Sequence, residues 1–287
     1  MEAILFAILA CFGWGIGDIF GTISTRKLGA YSMSFWGFAL RLVIFGLYIP
    51  FALAELSHIT AELVLLNLSL GVILLIGYSA FNEGLRIANP SLVGAISASF
   101  AAVAVILSIV FLHETITPNQ DLAILVIILG LILSILDFKE LKKGVTANRG
   151  ILLAIVSMVM WGVYFTFIKI PIRQLGWFWP GYISFTVFPL LPLFAKFKKI
   201  KLHGPTFQNS LFPLLCAVTL TGIAEYSFNF AVSRGLTAVV APIAGSYPAL
   251  FVVLAFFVFK DPVTKQQKVG IATTLIGIVL LSMFSAA

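Results

Sequence analysis

The chain repeats itself at one fixed offset. Trp14-Gly15 returns 147 residues later as Trp161-Gly162, Arg26 as Arg173, Leu28-Gly29 as Leu175-Gly176 and Phe81-Asn82 as Phe228-Asn229. Ser99 likewise matches Ser246, Thr117 matches Thr264 and Gly130 matches Gly277, with no gap anywhere. Each copy holds five apolar segments. Five is odd, so a second copy in series enters a membrane upside down relative to the first. Inverted repeats place a binding site between the halves, near the bilayer midplane, and support alternating access. That points to a transporter.

The membrane itself follows from composition. The chain is 61% hydrophobic and 10% charged, with a mean hydropathy of +1.10, which leaves too little polar surface for a soluble domain of this length. Spanning the hydrocarbon takes about 20 apolar residues per helix. Ten stretches qualify, near 3–23, 33–53, 63–82, 92–112, 119–137, 150–170, 178–195, 210–230, 238–259 and 267–285. They are too long and too uniformly apolar for barrel strands, and in lipid only helices and closed barrels satisfy the backbone. The expected fold is therefore an all-α membrane protein of ten transmembrane helices, built as two inverted five-helix repeats, 1–143 and 144–287. The first segment carries only Glu2 ahead of its apolar run and has a counterpart in the second copy, so it reads as a mature helix rather than a signal peptide.

Several function classes drop out. Cys11 and Cys216 are not repeat mates and both lie in apolar segments, so neither a disulfide nor a metal site is expected. Gly13-x-Gly15-x-Gly17 lacks the strand-and-helix context of a dinucleotide fingerprint. No cofactor, no enzymatic constellation and no nucleic-acid partner is expected. The net charge of +7 resides mainly in loops, where it meets anionic lipid. The connections after segments 1, 3, 5, 7 and 9 hold 14 Lys and Arg; the other connections and the termini hold 3, namely Lys169, Arg173 and Arg234. By the positive-inside rule the odd connections face the cytoplasm and both termini face outward. A prokaryotic plasma membrane is the expected location. One chain suffices to build the whole pathway, without excluding a dimer.

Ionisable groups at membrane depth cost at least about 2.5–3.5 kcal/mol each and need a reason. Three stand out: Asp18, Arg41 and Glu225. Glu225 shares a helix face with Asn229, one turn on, and its repeat mate is Tyr78. It is the first candidate to hold a substrate amine or a proton, since a carboxylate away from water can exchange protons near neutral pH. Asp18 is the second proton-coupling candidate. Asn82 and Asn229 are repeat mates, expected to face each other across the cavity; the plain alternative is that they join helices. Arg41, whose mate is Phe188, either pairs with a carboxylate such as Asp18 or anchors a substrate carboxylate. The set carries one spare negative charge, which favours a cationic or zwitterionic small-molecule substrate. Trp14, Trp161, Tyr164, Tyr226 and Tyr247 are expected to line the cavity and offer cation–π contacts, with Tyr78 beside them. Ser97, Ser99 and Ser246 sit early in their helices, and Pro248 frees backbone carbonyls there. The glycines around Trp14 serve close packing or a hinge. Trp177 and Trp179 are expected in the interfacial belt. Lys169, Arg173, Arg86, Arg234 and Glu83 are expected to snorkel, and His113-Glu114, whose acidic mate is Asp261, to end a helix in solvent, with a capping or gate role as the alternative.

The motifs Phe12-Gly-Trp-Gly-Ile-Gly17 and Met160-Trp-Gly-Val-Tyr-Phe165, the junction Phe81-Asn-Glu-Gly-Leu-Arg-Ile-Ala-Asn-Pro-Ser-Leu-Val-Gly94, and the helix ends Leu112-His-Glu-Thr-Ile-Thr117 and Phe259-Lys-Asp-Pro-Val-Thr264 occur in order and in duplicate. Together they resemble the drug/metabolite transporter superfamily, and within it the ten-helix EamA-type proteins. The resemblance covers nearly the whole chain. It implies carriage of small metabolites, amino acids or drugs through a cavity lined by helices 1, 3, 4, 6, 8 and 9. It also implies both termini in the cytoplasm, against the charge count. The function expected is secondary transport of a small polar or amphipathic metabolite, amino acid or amine-like, by alternating access with or without proton coupling. A multidrug or quaternary-amine exporter is the alternative within transporters, and a receptor or scaffold without flux the alternative outside them.

Overall fold

The computed structural model describes residues 1–88, 90–135, 149–207, 209–259 and 264–286. Among these residues every regular element is helical: α1 (Glu2–Leu28), α2 (Ala30–Gly46), α3 (Ile49–Ala52) with a 3₁₀ turn at Leu53–His58, α4 (Ala61–Ile87), α5 (Pro90–Ala98), α6 (Phe100–Leu112), α7 (Pro118–Ile135), α8 (Arg149–Phe167), α9 (Lys169–Leu175), α10 (Phe178–Phe185), α11 (Leu190–Phe197), α12 (Leu211–Arg234), α13 (Thr237–Ala244), α14 (Tyr247–Phe259) and α15 (Lys265–Ala286). The expected boundary between repeats, 143/144, lies outside the described residues.

Where described, the ten apolar stretches are mostly helical, but they do not all form single long rods. Among the described residues seven helical spans, some joining two consecutive elements, are long and apolar enough to cross a membrane, or eight if α2 and the 49–58 segment, bent by 69°, count as one span. Ile96–Leu112 and Pro118–Leu133 are apolar but shorter. The breaks have local causes. Gly29 (φ 85) and Gly176 (φ 68) turn the chain between α1 and α2 and between α9 and α10; they are repeat mates, and both adopt backbone that glycine takes without strain. Ser99 separates α5 from α6, and its mate Ser246 lies in the break between α13 and α14, after Pro242.

Helix contacts follow the repeat offset. A Cβ on Gly130 of α7 would strike Thr274 of α15, and one on Gly277 of α15 would strike Ile127 of α7; subtracting 147 turns one contact into the other. Gly15 lies against Leu250, and its mate Gly162 against Val103, the mate of Leu250. Gly13 meets Ala224 where Met160 meets Gly77. Helix α1 runs antiparallel to α12, with Ala3 beside Gly235 and Gly17 beside Thr221. Helix α4 runs antiparallel to α8, with Gly77 beside Trp161 and Gly84 near Gly150. Helices α7 and α15 are also antiparallel. In lipid there is no hydrophobic drive between helices, so small residues that permit close van der Waals contact decide which faces meet. The glycines of the first helix are thus packing residues: Gly13 and Gly17 seat α12 and Gly15 seats α14.

Replacing Gly130 by leucine is expected to destabilise the detergent-solubilised protein by about 1–3 kcal/mol or more, because the obstruction is backbone. Gly277→Leu should behave alike. A thermal melt checks both; an unchanged midpoint for either would show that α7 and α15 do not meet at these glycines.

Candidate functional site

The centre of the bundle is an aromatic cluster. Trp14 packs on Tyr247 at 6.0 Å and on Phe228 at 5.8 Å, while Trp161 packs on Phe100 at 6.1 Å and on Phe81 at 5.0 Å between ring centroids. These are the same two contacts in each half. Trp14, Trp161, Phe165 and Tyr247 enclose a void of about 10 Å³ that also touches Asp18 and Tyr78. The expected lining role of Trp14, Trp161 and Tyr247 thus has a structural counterpart. Ser246 beside them is buried and donates to the Pro242 carbonyl at 2.7 Å, so it holds the broken helix together.

Next to this cluster lies a cavity of about 30 Å³, room for about one water molecule. It reaches from Asp18 and Thr22 on α1 to Arg41 on α2, Tyr78 and Asn82 on α4, and Thr221 on α12. Thr22 and Asn82 lie nearest the α1–α2 and α4–α5 turns, while Asp18, Arg41 and Thr221 lie deeper along their helices. Arg41 is 3% exposed. Its Nη2 donates to Thr221 Oγ1 at 2.6 Å and to the Tyr78 hydroxyl at 3.4 Å. Its guanidinium lies over the Tyr78 ring at 4.9 Å and the Phe185 ring at 5.1 Å. Arg41 Nε has no partner. Among the described residues no ion pair within 4.0 Å links Arg41 to Asp18 or Glu225. A buried, permanent cation is therefore held by neutral groups, with a carboxylate across the cavity.

Glu225 sits behind this cavity rather than on it. It is fully buried, and Tyr164 donates to its Oε1 at 2.8 Å. Oε2 accepts no hydrogen bond of good geometry. The two asparagines do not face each other. Asn82 packs among α1, α2 and α4, accepting from Thr25 at 3.2 Å and donating to Ser34 at 2.9 Å. Asn229 packs against Gly181 of α10, and neither of its amide atoms has a partner. The cause is in the repeat: the mates of Thr25 and Ser34 are Ile172 and Gly181, so the second copy has lost both hydroxyls.

The structure corrects three further expectations at the opposite end of the bundle. Lys169 does not snorkel: it is buried and binds Glu114 at 2.5 Å and the Gly235 carbonyl at 2.8 Å. Glu114 is not solvated: its oxygens accept from the backbone N–H of Thr237 at 3.0 Å and Ala238 at 2.8 Å, capping α13. Burial pushes the Glu114 carboxyl up, but Lys169 and the two amides outweigh it and hold it below the usual range, so Glu114 stays ionised at neutral pH. Trp179, at the start of α10, does not face lipid: it is buried, donating to the Ala52 carbonyl at 2.7 Å. The Glu114 site was signalled only by its repeat mate, Asp261, which lies outside the described residues. Nothing in the sequence tied Lys169 to it. Glu83, also buried, binds its own helix neighbour Arg86 through two bonds of 2.6 and 2.8 Å.

Comparison with known proteins follows the same two-part division. The model of the EamA-like transporter family matches residues 1–136 and again 148–283, two matches that start 147 residues apart (148 − 1). An uncharacterized protein of Methanocaldococcus jannaschii is 28% identical over 137 residues, which are 47% of this chain and 98% of the relative; that relative is about as long as one repeat. A solved crystal structure covers 99% of this chain, and this chain covers 96% of it, with a TM-score of 0.79 at 16% identity. That likeness concerns the fold alone.

The unequal asparagines make a prediction. Asn82→Leu should cost about 1–3 kcal/mol, because it strands the Thr25 hydroxyl and takes a donor from Ser34, which keeps its bond to the Ala30 carbonyl. Asn229→Leu should be neutral or stabilising, because an amide without partners is exchanged for an apolar side chain of similar size. Paired thermal melts in one detergent read the difference, and equal losses would contradict it.

Proposed function

The chain belongs to the EamA-like transporter family, and on that premise we propose that this multi-pass membrane transporter spans the bilayer ten times as two inverted repeats, 1–143 and 144–287, and moves a small polar metabolite, amino acid or amine-like, by alternating access. The antiparallel run of the repeat mates α7 and α15 supports inversion, since a two-fold between antiparallel mates lies perpendicular to the helices. With no ATPase motif in the sequence, a gradient drives the transport.

One observation carries the substrate reading: Asp18 and Arg41 face one cavity without pairing to each other. A guanidinium with an unused donor is suited to a carboxylate. A carboxylate across the gap, next to Trp14, Trp161 and Tyr247, is suited to an ammonium group. In this reading Asp18 takes the substrate amine and Arg41 its carboxylate. Glu225, held by Tyr164 behind the cavity, takes the proton that couples transport. The cavity is far below the roughly 300–1,000 Å³ of an occupied ligand pocket, so the helices must part to admit substrate. The aromatic lining beside Asp18 favours a second reading, export of quaternary amines, which would use Asp18 and the rings without Arg41.

Counterflow in proteoliposomes with labelled amino acids, amines and sugars, with and without a pH gradient, tests the proposal. Amino acids should accumulate. Arg41→Gln should cut that accumulation about tenfold or more, the value of a charge-assisted hydrogen bond. Glu225→Gln should abolish its response to the pH gradient. Transport of amines alone, indifferent to Arg41→Gln, would favour the second reading; intact pH-dependent transport by Glu225→Gln would remove Glu225 from coupling.

A further inference from the structure

The two ends of the proposed pathway are not closed in the same way. At the end that carries the α6–α7 and α12–α13 connections, Lys169 and Glu114 form a buried ion pair. It is not an isolated contact. Lys169 also holds the Gly235 carbonyl, and Glu114 also holds the first amides of α13. Four elements therefore meet in one knot: the end of α6, the start of α9, the end of α12 and the start of α13. Three of the four belong to the second repeat and one to the first, so the knot ties the halves together. The exposed Arg234–Glu2 pair, 3.7 Å apart, lies at the same end.

At the other end the repeat provides a different chemistry. The mate of Lys169 is Thr22. Thr22 lines the cavity and donates to the Asp18 carbonyl of its own helix at 2.8 Å, so it bridges nothing. The cavity lies at this end, and the ion pair lies at the far one.

We propose that the Glu114–Lys169 pair is a one-sided latch on the transport pathway: it closes the end bearing the α6–α7 and α12–α13 connections, and it must break before substrate passes there. The inference rests on the transport reading above. Among the described residues the ion pair at the opposite end, Arg86–Glu83, lies within α4 and joins no second helix, so the empty carrier rests with its cavity toward the α1–α2 and α4–α5 turns. Opening the latched end separates α6 from α13 and leaves a lysine and a carboxylate to be rehydrated. Closing the other end requires no such separation. An inverted repeat with identical gates would have no preferred face; this chain has one because a threonine stands where its mate is a lysine.

The test uses thiol accessibility and needs no substrate. In a Cys11→Ala, Cys216→Ala background, single cysteines replace Ser246, between the latch and the aromatic cluster, and Thr22, on the cavity. A membrane-impermeant thiol reagent is applied to either face of sealed vesicles. With the latch intact, T22C should react from the cavity's own face as the helices there part, and S246C should be protected from the latched face. Lys169→Gln and Glu114→Gln should each speed modification of S246C from that face at least tenfold and slow that of T22C. Lys169→Arg, which keeps the charge and the donor, should retain protection. Should either single variant fail to fold, the double variant Glu114→Gln, Lys169→Gln, which leaves no unpaired charge, should show the same exposure. Unchanged S246C protection in the folded neutral variants would overturn the latch. Failure of the transport reading would show differently, as absent counterflow in a protein whose accessibility still responds to Lys169→Gln.

Discussion

Close helix approach across an internal two-fold is the constraint on which the rest depends. Lipid offers no hydrophobic reward for bringing apolar helices together, so contact must be won by fit. Here the fit is made by small residues at repeat-related positions. Gly130 and Gly277 seat the α7–α15 pair, and Gly15 and Gly162 seat α14 and α6 on the two tryptophan helices. Because each contact is formed twice, a single local solution assembles both halves. It also brings Trp14 and Trp161 to the same depth with the same neighbours. The aromatic cluster at the centre is thus a consequence of the packing.

The chemistry appears where the repeat is broken. Arg41 stands opposite Phe188, Asp18 opposite Phe165, Glu225 opposite Tyr78 and Lys169 opposite Thr22. Symmetric residues can be explained by packing alone, since the same environment recurs. An ionisable residue on one side only has no such excuse, because its mate position shows that an uncharged side chain packs there. The asymmetry also has a cost. Asn82 is satisfied by Thr25 and Ser34, whereas Asn229 keeps the amide after both hydroxyls have been replaced. A buried amide without partners is unfavourable by about 1–3 kcal/mol. Tyr226 and Tyr247 likewise have buried hydroxyls without partners.

How much of this was legible in the sequence differs from residue to residue. The helices and the two-part repeat were readable, because hydropathy and the repeat offset are properties of the chain alone; which helices pair was not. So were Asp18, Arg41 and Glu225, because a charge in a long apolar stretch stands out. What could not be read was direction around the helix axis. Glu225 was expected on the cavity, yet it faces Tyr164; Asn229 was expected to face Asn82, yet it faces Gly181. The offset relates positions within each half but does not say which faces look inward. Lys169 was missed, and the cap or gate at Glu114 ranked second to a solvated end, for another reason. Each lies at a helix end, where a charge normally reaches water or headgroups. Only the α12–α13 connection, folding back over α6, takes that option away.

The break in symmetry at Lys169 bears on how such a carrier acquires a resting state. Two inverted copies of one sequence would give two conformations of equal free energy, related by the two-fold, and an empty carrier would populate both alike. A preference of 10:1 needs only about 1.4 kcal/mol, which is one changed interaction. Most substitutions between the repeats affect both conformations in similar ways, because the residue stays buried in each. A gate residue is different, since it is paired in one conformation and separated in the other. The Glu114–Lys169 pair is of that kind, and its counterpart at Thr22 has no charge to separate. If the odd connections are cytoplasmic, as their 14 basic residues indicate, the latched end faces outward and the resting cavity opens inward. Binding sites and gates then evolve separately on one symmetric frame. Changes around Asp18 and Arg41 choose what is carried, while a single position in the outer knot sets which side the empty carrier favours.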